Sequence, residues 1–218
     1  VTLHWPRCKN VRDLGGTPLR DGGRIRAGAL VRSDNLDQLD VTGIAAVHAA
    51  GVSRIVDLRS VWECEKYPSP FADTPLWLNL PLVDPDGPNV STWELSAQYR
   101  LLLDGSPERF AAAIAAIAEA PPGCVVVACH AGKDRTGLVV ALALHLVGVP
   151  VSAIAADYVA SPALSADSHA LPELAAPRSD TISRTLDHLQ SSYGGTAAYL
   201  RGGGATAEQF ASLAARLC

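Results

Sequence analysis

The stretch Gly123–Gly148, GCVVVACHAGKDRTGLVVALALHLVG, constrains this chain more than any other. Cys124 to Ala128 is a short unbroken apolar run, the pattern of a strand buried on both faces. After Gly137 comes a longer apolar run without alternation, the pattern of a helix enclosed in a core. Between them lie Cys129, the loop His130-Ala131-Gly132-Lys133-Asp134, and Arg135-Thr136-Gly137, where the helical pattern starts. A buried strand joined to a buried helix by one tight loop calls for a layered α/β fold. It also sets a sulfur nucleophile at a strand end and a helix mouth.

Composition is consistent with a sizeable core. Hydrophobic residues make up 48% of the 218 residues and charged residues 18%, and one domain spanning 1–218 is expected. The net charge of −4 argues against binding nucleic acid through bulk electrostatics. It leaves room for a local anion site built from backbone dipoles and a few cations. Fifteen of the 18 basic residues are Arg, and Lys occurs only at Lys9, Lys66 and Lys133, so Lys133 in the loop runs against the bias. The five cysteines (Cys8, Cys64, Cys124, Cys129 and Cys218) have neither disulfide-framework nor zinc spacing. No run reaches the roughly 18 apolar residues of a membrane span. No cofactor, metal or stable membrane insertion is expected, and the expected location is cytoplasmic, or secreted without a visible signal peptide.

Along the chain, Asn10–Gly16 is turn-rich and Ile25–Ser33 reads as short strands. Thr42 is placed to cap a helix to about Ala50, and Val52–Arg59 reads as a parallel strand with a charged tip. Val61–Lys66 suggests a helical turn, and Leu76–Val83 a strand that Pro81 confines to an edge or an end. Helical spacing follows in Ser91–Leu103 and from Pro107 to about Ala120, with Ser106 in the N-cap position. Further helices are expected at 152–159, 182–193, 197–200 and 208–217, with 161–195 as a lid-like insertion. Alternating strand and helix patterns imply a mainly parallel sheet flanked by helices, with a C-terminal helical lid or extension.

The loop has the chemistry of a phosphate site. A tight turn entering a helix points successive N–H groups inward, and the helix dipole adds positive potential. Ala131, Gly132 and Gly137 allow close backbone approach, and the Arg135 fork matches two phosphate oxygens. The same field favours a Cys129 thiolate, which can attack phosphorus and form a cysteinyl-phosphate. A general acid must protonate the leaving oxygen, and Thr136 can donate to the thiolate when it leaves in the second step. A nucleotide-binding Walker loop is excluded, because Gly132-Lys133 is followed by Asp134 with no earlier Gly at the required position.

CHAGKDRTG resembles the signature of the cysteine-dependent tyrosine and dual-specificity phosphatases. Its Gly-Lys-Asp-Arg-Thr-Gly ending is similar to that of the atypical bacterial tyrosine and phosphoinositide phosphatases. Asn10–Gly16 (NVRDLGG), Arg32-Ser33 and Val56–Ser60 (VDLRS) resemble other motifs of that branch; beyond Gly137 only helical character matches. The resemblance implies Cys129 as nucleophile, Arg135 as phosphate clamp and Asp134 as general acid. It implies Lys133 as charge for substrates with extra phosphates, and no metal. Substrates would be phosphotyrosine or phosphoserine/threonine proteins and phosphoinositides. Loop residues His130, Ala131, Gly132, Lys133, Thr136 and Gly137 would contact substrate, joined by Asp57 and Arg59 unless these form a structural ion pair. The branch usually has His before the nucleophile; Ala128 here implies a less well supported thiolate and slower turnover.

Several alternatives stay open at this level. Asp84 or Asp86 in DPDGP competes with Asp134 for the acid role, and Arg12-Asp13 suits a turn that buttresses the sheet. A rhodanese-like sulfurtransferase also ends a strand with Cys in an anion loop, and a non-catalytic phosphate-binding module would keep the loop without turnover.

Overall fold

The computed structural model describes residues 3–83, 95–161 and 178–218. Cys124–Ala128 (β5) is fully buried at the centre of a five-stranded sheet. It pairs in parallel with Leu30–Ser33 (β2) on one side and Val52–Asp57 (β3) on the other. Trp77–Asn79 (β4) extends the parallel part, and Arg12–Asp13 (β1) closes the far edge antiparallel, giving the order β1-β2-β5-β3-β4. The mainly parallel α/β expectation holds.

Alternation along β5 explains the two cores. Val125, Val127 and Cys129 face one layer, while Cys124 and Val126 face the other. β3 obeys the same rule only because a register shift between Val52 and Arg54 lets Val52 and Ile55 share a face. The thinner layer holds Val41–Ala49 (α1), Trp5 and Phe71. The thicker one holds Leu95–Gly105 (α3), Pro107–Ala118 (α4), Asp134–Leu146 (α5), Val151–Val159 (α6), Ser179–Tyr193 (α7), Thr196–Gly202 (α8) and Ala207–Leu217 (α9). Every residue from Thr136 to Leu144 in α5 is buried, as its all-round apolar pattern requires.

Three expectations are corrected. The cap of α1 is Asp40, whose carboxylate accepts from the Gly43 amide at 3.0 Å, not Thr42. The strand expected at Leu76–Val83 keeps only Trp77–Asn79 in the ladder, although the Leu80 amide still donates to Asp57 O at 2.8 Å; Pro81 lies past the strand end on the open side of an edge strand, where no N–H is needed. Ser106 precedes α4 without a side-chain cap, leaving Pro107 as the start signal. The C-terminal helices extend the main core, with Ile182, Leu189, Leu200, Leu213 and Leu217 each 0% exposed within it. The remainder of the expected insertion, 162–177, and the rival acids Asp84 and Asp86 lie outside the described residues. No helix among the described residues is long and apolar enough to cross a membrane.

Candidate active site

Register aligns Ser33, Ala128 and Asp57, so the carboxyl ends of β2, β5 and β3 open onto one edge. That edge is where parallel α/β sheets carry their sites. Ala128 is buried at this edge, and Cys129, 2% exposed, leaves it directly into the loop.

The loop is held from outside. The Asn10 amide donates to the carbonyls of Ala131 (3.0 Å) and Gly132 (2.9 Å), and Arg32 Nη2 donates to Gly132 O at 2.6 Å. Because N–H lies opposite C=O across a planar peptide, outward carbonyls turn the amides of Gly132 and Lys133 inward. Asp157 on α6 fixes the clamp, accepting from Arg32 Nη1 at 2.5 Å and Arg12 Nε at 3.1 Å, and Arg12 also donates to Asn10 Oδ1. Asp13 accepts from the Gly15 and Gly28 amides, both at 2.9 Å, the expected turn-building role.

Gly132 is required twice over. Its φ is +64°, and a Cβ there would sit 2.4 Å from Ser33 O, a backbone atom with nowhere to go. Gly132→Ala is expected to cost more than about 2 kcal/mol of stability and to abolish phosphate release. An unchanged melting temperature with unchanged activity would show that the loop can take another path.

Arg135 meets a partner that sequence spacing did not reveal. Its Nη1 and Nη2 donate to Glu63 Oε2 (2.5 Å) and Oε1 (2.7 Å), a fork-to-fork pair. Glu63 lies on Val61–Lys66 (α2), and Ser60 and Glu63 form a capping box there. The readable signal was that Ser-x-x-Glu pattern after a strand. Burial works against the Arg135 cation, but Glu63 hydrogen bonds and the charges of Cys129, Glu63 and Asp134 outweigh it and raise its pKa.

Burial alone would raise Glu63; hydrogen bonds and charge from Arg135, with the Ser60 amide and hydroxyl, hold it down to about 2 from 4.5. A depressed carboxylate contributes stability in full above its unfolded value, and that contribution is lost as pH falls through the folded one. Between about pH 4.5 and 2 the parent should therefore lose more unfolding free energy than Glu63→Gln, by about 3 kcal/mol. Parallel acid-denaturation curves would refute this.

The remaining expected site residues divide into several groups. Lys133 is 1% exposed, so it is no surface charge, and its Nζ lies 3.7 Å from Asp134 Oδ1. Asp134 also accepts from the Tyr99 hydroxyl at 2.5 Å. Thr136 is fully buried, and its hydroxyl has no hydrogen-bond partner among the described residues, a position that a functional partner would explain. Gly137 lets the Tyr158 ring come within 3.0 Å of where a Cβ would be. His130 is exposed at the rim beside Tyr67, ring centroids 5.5 Å apart. Asp57 and Arg59 favour the ion-pair reading: Arg59 Nη2 donates to Asp57 Oδ2 at 2.7 Å, Nη1 donates to Tyr67 O, and both side chains are buried. No cluster of metal-ligating side chains occurs among the described residues.

A model described as the tyrosine phosphatase family matches residues 3–218. The chain belongs to the tyrosine phosphatase family. Among curated proteins it is 30% identical over 218 aligned residues to the triple specificity protein phosphatase PtpB of Mycobacterium tuberculosis, covering 84% of this chain and 75% of that one. A tyrosine-protein phosphatase of Nostoc commune is 28% identical, covering 88% of this chain and 75% of its own length. A Cupriavidus necator protein whose name assigns it to the tyrosine-protein phosphatases is 29% identical over 73% of this chain, which spans only 62% of that relative. Membership makes the enzyme class phosphatase, and the sulfurtransferase and non-catalytic alternatives give way to it.

Proposed function

We propose that this chain hydrolyses phosphomonoesters through a cysteinyl-phosphate on Cys129. The substrates are phosphotyrosine and phosphoserine/threonine proteins, with phosphoinositides as a further class. The observation that carries the reading is the loop itself: carbonyls tied outward by Asn10 and Arg32, amides turned inward, and the Arg135 fork preset by Glu63. Such preset donors stabilise the charge that develops on the transferring phosphoryl group.

The Cys129 thiolate attacks phosphorus while the bond to the leaving oxygen breaks, and that oxygen takes the proton of Asp134. Asp134 then accepts a proton from water as the water oxygen attacks phosphorus. The S–P bond breaks with its electron pair on sulfur, where the Thr136 hydroxyl, without a hydrogen-bond partner among the described residues, supports the thiolate. Lys133, buried beside Asp134, adds positive charge within the loop. Substrate breadth is supported by the relative named for triple specificity.

Asp134→Asn is expected to lower kcat on phenyl phosphate by about 10²–10⁴-fold and much less on a phosphate ester with a good leaving group. Equal losses on both esters would remove Asp134 from the acid role. Phosphate release from phosphotyrosine peptide, phosphothreonine peptide and phosphoinositides would rank the substrates.

A further inference from the structure

Asp134 is the end of a buried hydroxyl chain. Tyr99 on α3 donates to Asp134 Oδ1 at 2.5 Å, and the Tyr99 and Tyr158 hydroxyl oxygens lie 2.7 Å apart. Both tyrosines are buried, at 3% and 1% exposure, with rings edge-on at 6.3 Å. Nothing in the phosphate loop requires this chain, and the reaction as derived above does not use it.

The direction of the chain follows from counting protons. A carboxylate only accepts, so the single proton of Tyr99 is committed to Asp134. Tyr99 oxygen must then accept, and Tyr158 donates to it. Lys133 Nζ approaches the same Oδ1, at 3.7 Å. Oδ1 is thus engaged by a hydroxyl and faced by a cation, which leaves Oδ2 to carry a proton.

We propose that Tyr99, aligned by Tyr158, is a positioning residue that confines the acidic proton of Asp134 to Oδ2 and turns that oxygen toward the leaving group. This rests on the reading of Asp134 as the general acid. When the proton passes from Oδ2 to the leaving oxygen, the electron pair of the broken O–H bond stays on the carboxylate, and Tyr99 stabilises that charge. When water later returns a proton to Oδ2, the same bond keeps the carboxyl from rotating. Burial, with the neighbouring Asp134 charge, raises the Tyr99 pKa well above its usual value, so Tyr99 remains a donor throughout.

Removal of the Tyr99 donor has a definite sign. A general acid must be protonated, so activity falls as pH rises through its pKa. The other groups acting there are Lys133 from the loop, Arg135 beside it, Tyr158 from α6 and, acting on Tyr158, Arg32 from β2. All stay in place in Tyr99→Phe. Without the hydroxyl the carboxylate loses support, and the descending limb moves to higher pH.

The experiment measures kcat against pH for the parent, Tyr99→Phe, Tyr158→Phe, Asp134→Asn and the Tyr99→Phe/Asp134→Asn double variant. Each is assayed on phenyl phosphate and on a good-leaving-group ester, with melting temperatures taken alongside. Tyr99→Phe is expected to lose about 10-fold or more on the poor leaving group and little on the good one, with its descending limb displaced upward. Tyr158→Phe, which keeps the ring against Gly137, should shift the same way by less. In the Asp134→Asn background the Tyr99 substitution should have no further effect. A Tyr99→Phe limb that superimposes on the parent, equal losses on both esters, or full additivity with Asp134→Asn would overturn the proposal. If Asp134→Asn itself affects both esters equally, the acid assignment fails and takes this proposal with it; failure confined to the tyrosine variants leaves the acid assignment standing.

Discussion

Cys129→Ser should lower kcat by about 10⁴-fold or more on every substrate while leaving the affinity for inorganic phosphate close to that of the parent. The reason is a division of labour within the loop. In the proposed reaction phosphate is held by inward amides, the helix mouth and the Arg135 fork, and these depend on Asn10, Arg32, Gly132 and Glu63, none of which the substitution touches. In the same proposed reaction sulfur is the nucleophile of the first step and the leaving group of the second. A serine hydroxyl ionises far less readily than a thiol, so it does neither at neutral pH. Cys129 is 2% exposed at the end of a fully buried strand, and oxygen for sulfur changes little volume there. Rapid acid quench followed by mass measurement should show one added phosphoryl group on the parent and none on the variant. Turnover retained within tenfold by Cys129→Ser would place the nucleophile elsewhere.

Arg135→Lys should lower kcat/KM by about 10²–10³-fold. Charge is conserved in this substitution; geometry is not. Arg135 gives its two Nη groups to the two oxygens of Glu63 at 2.5 and 2.7 Å and still has further N–H groups in the same plane for phosphate. A lysine ammonium offers one point of charge on a flexible stem. It cannot hold both Glu63 oxygens and two phosphate oxygens at once, and it leaves a half-buried carboxylate poorly paired near an incoming anion. The loss should fall on kcat as well as KM, because a clamp of the kind proposed holds the equatorial oxygens in the transition state as well as in the ground state. Recovery of the parent kcat/KM to within tenfold by lysine would show that charge alone suffices. Glu63→Gln keeps one of the two acceptors that face Arg135 and loses the charge, so it should fall between the parent and Arg135→Lys.

Two kinds of information specify this fold and its site. The central strand, the loop and the central helix were legible because their signals are contiguous: an unbroken apolar run, a turn rich in small residues, a helix apolar on all sides. Cys129, Lys133, Asp134, Arg135 and Thr136 were legible for the same reason, since one loop entering one helix brings neighbours in sequence to one point. Boundaries set by a local competition were harder. Thr42 and Asp40 are both good caps, and the 3.0 Å bond from Gly43 to Asp40 decided between them.

The second group of residues could not be read from local pattern. Asn10 reaches the loop across 121 positions, Glu63 reaches Arg135 across 72, and Tyr99 reaches Asp134 across 35. Parallel strand pairing places β2, β3 and β5 with their ends aligned, and only that alignment brings β1, α2, α3 and α6 around the loop. Asp57 and Arg59 show the converse: at a strand tip their residue types suit a site equally well, and tertiary packing turned them onto each other at 2.7 Å. By itself the sequence determined that a cysteine and an arginine share one short loop at the mouth of a buried helix in an α/β chain. Only the tertiary structure decided what orients the arginine, which groups grip the loop from outside and which oxygen of Asp134 is engaged. Those depend on hydrogen bonds between segments far apart in the chain, whose directions no residue spacing encodes.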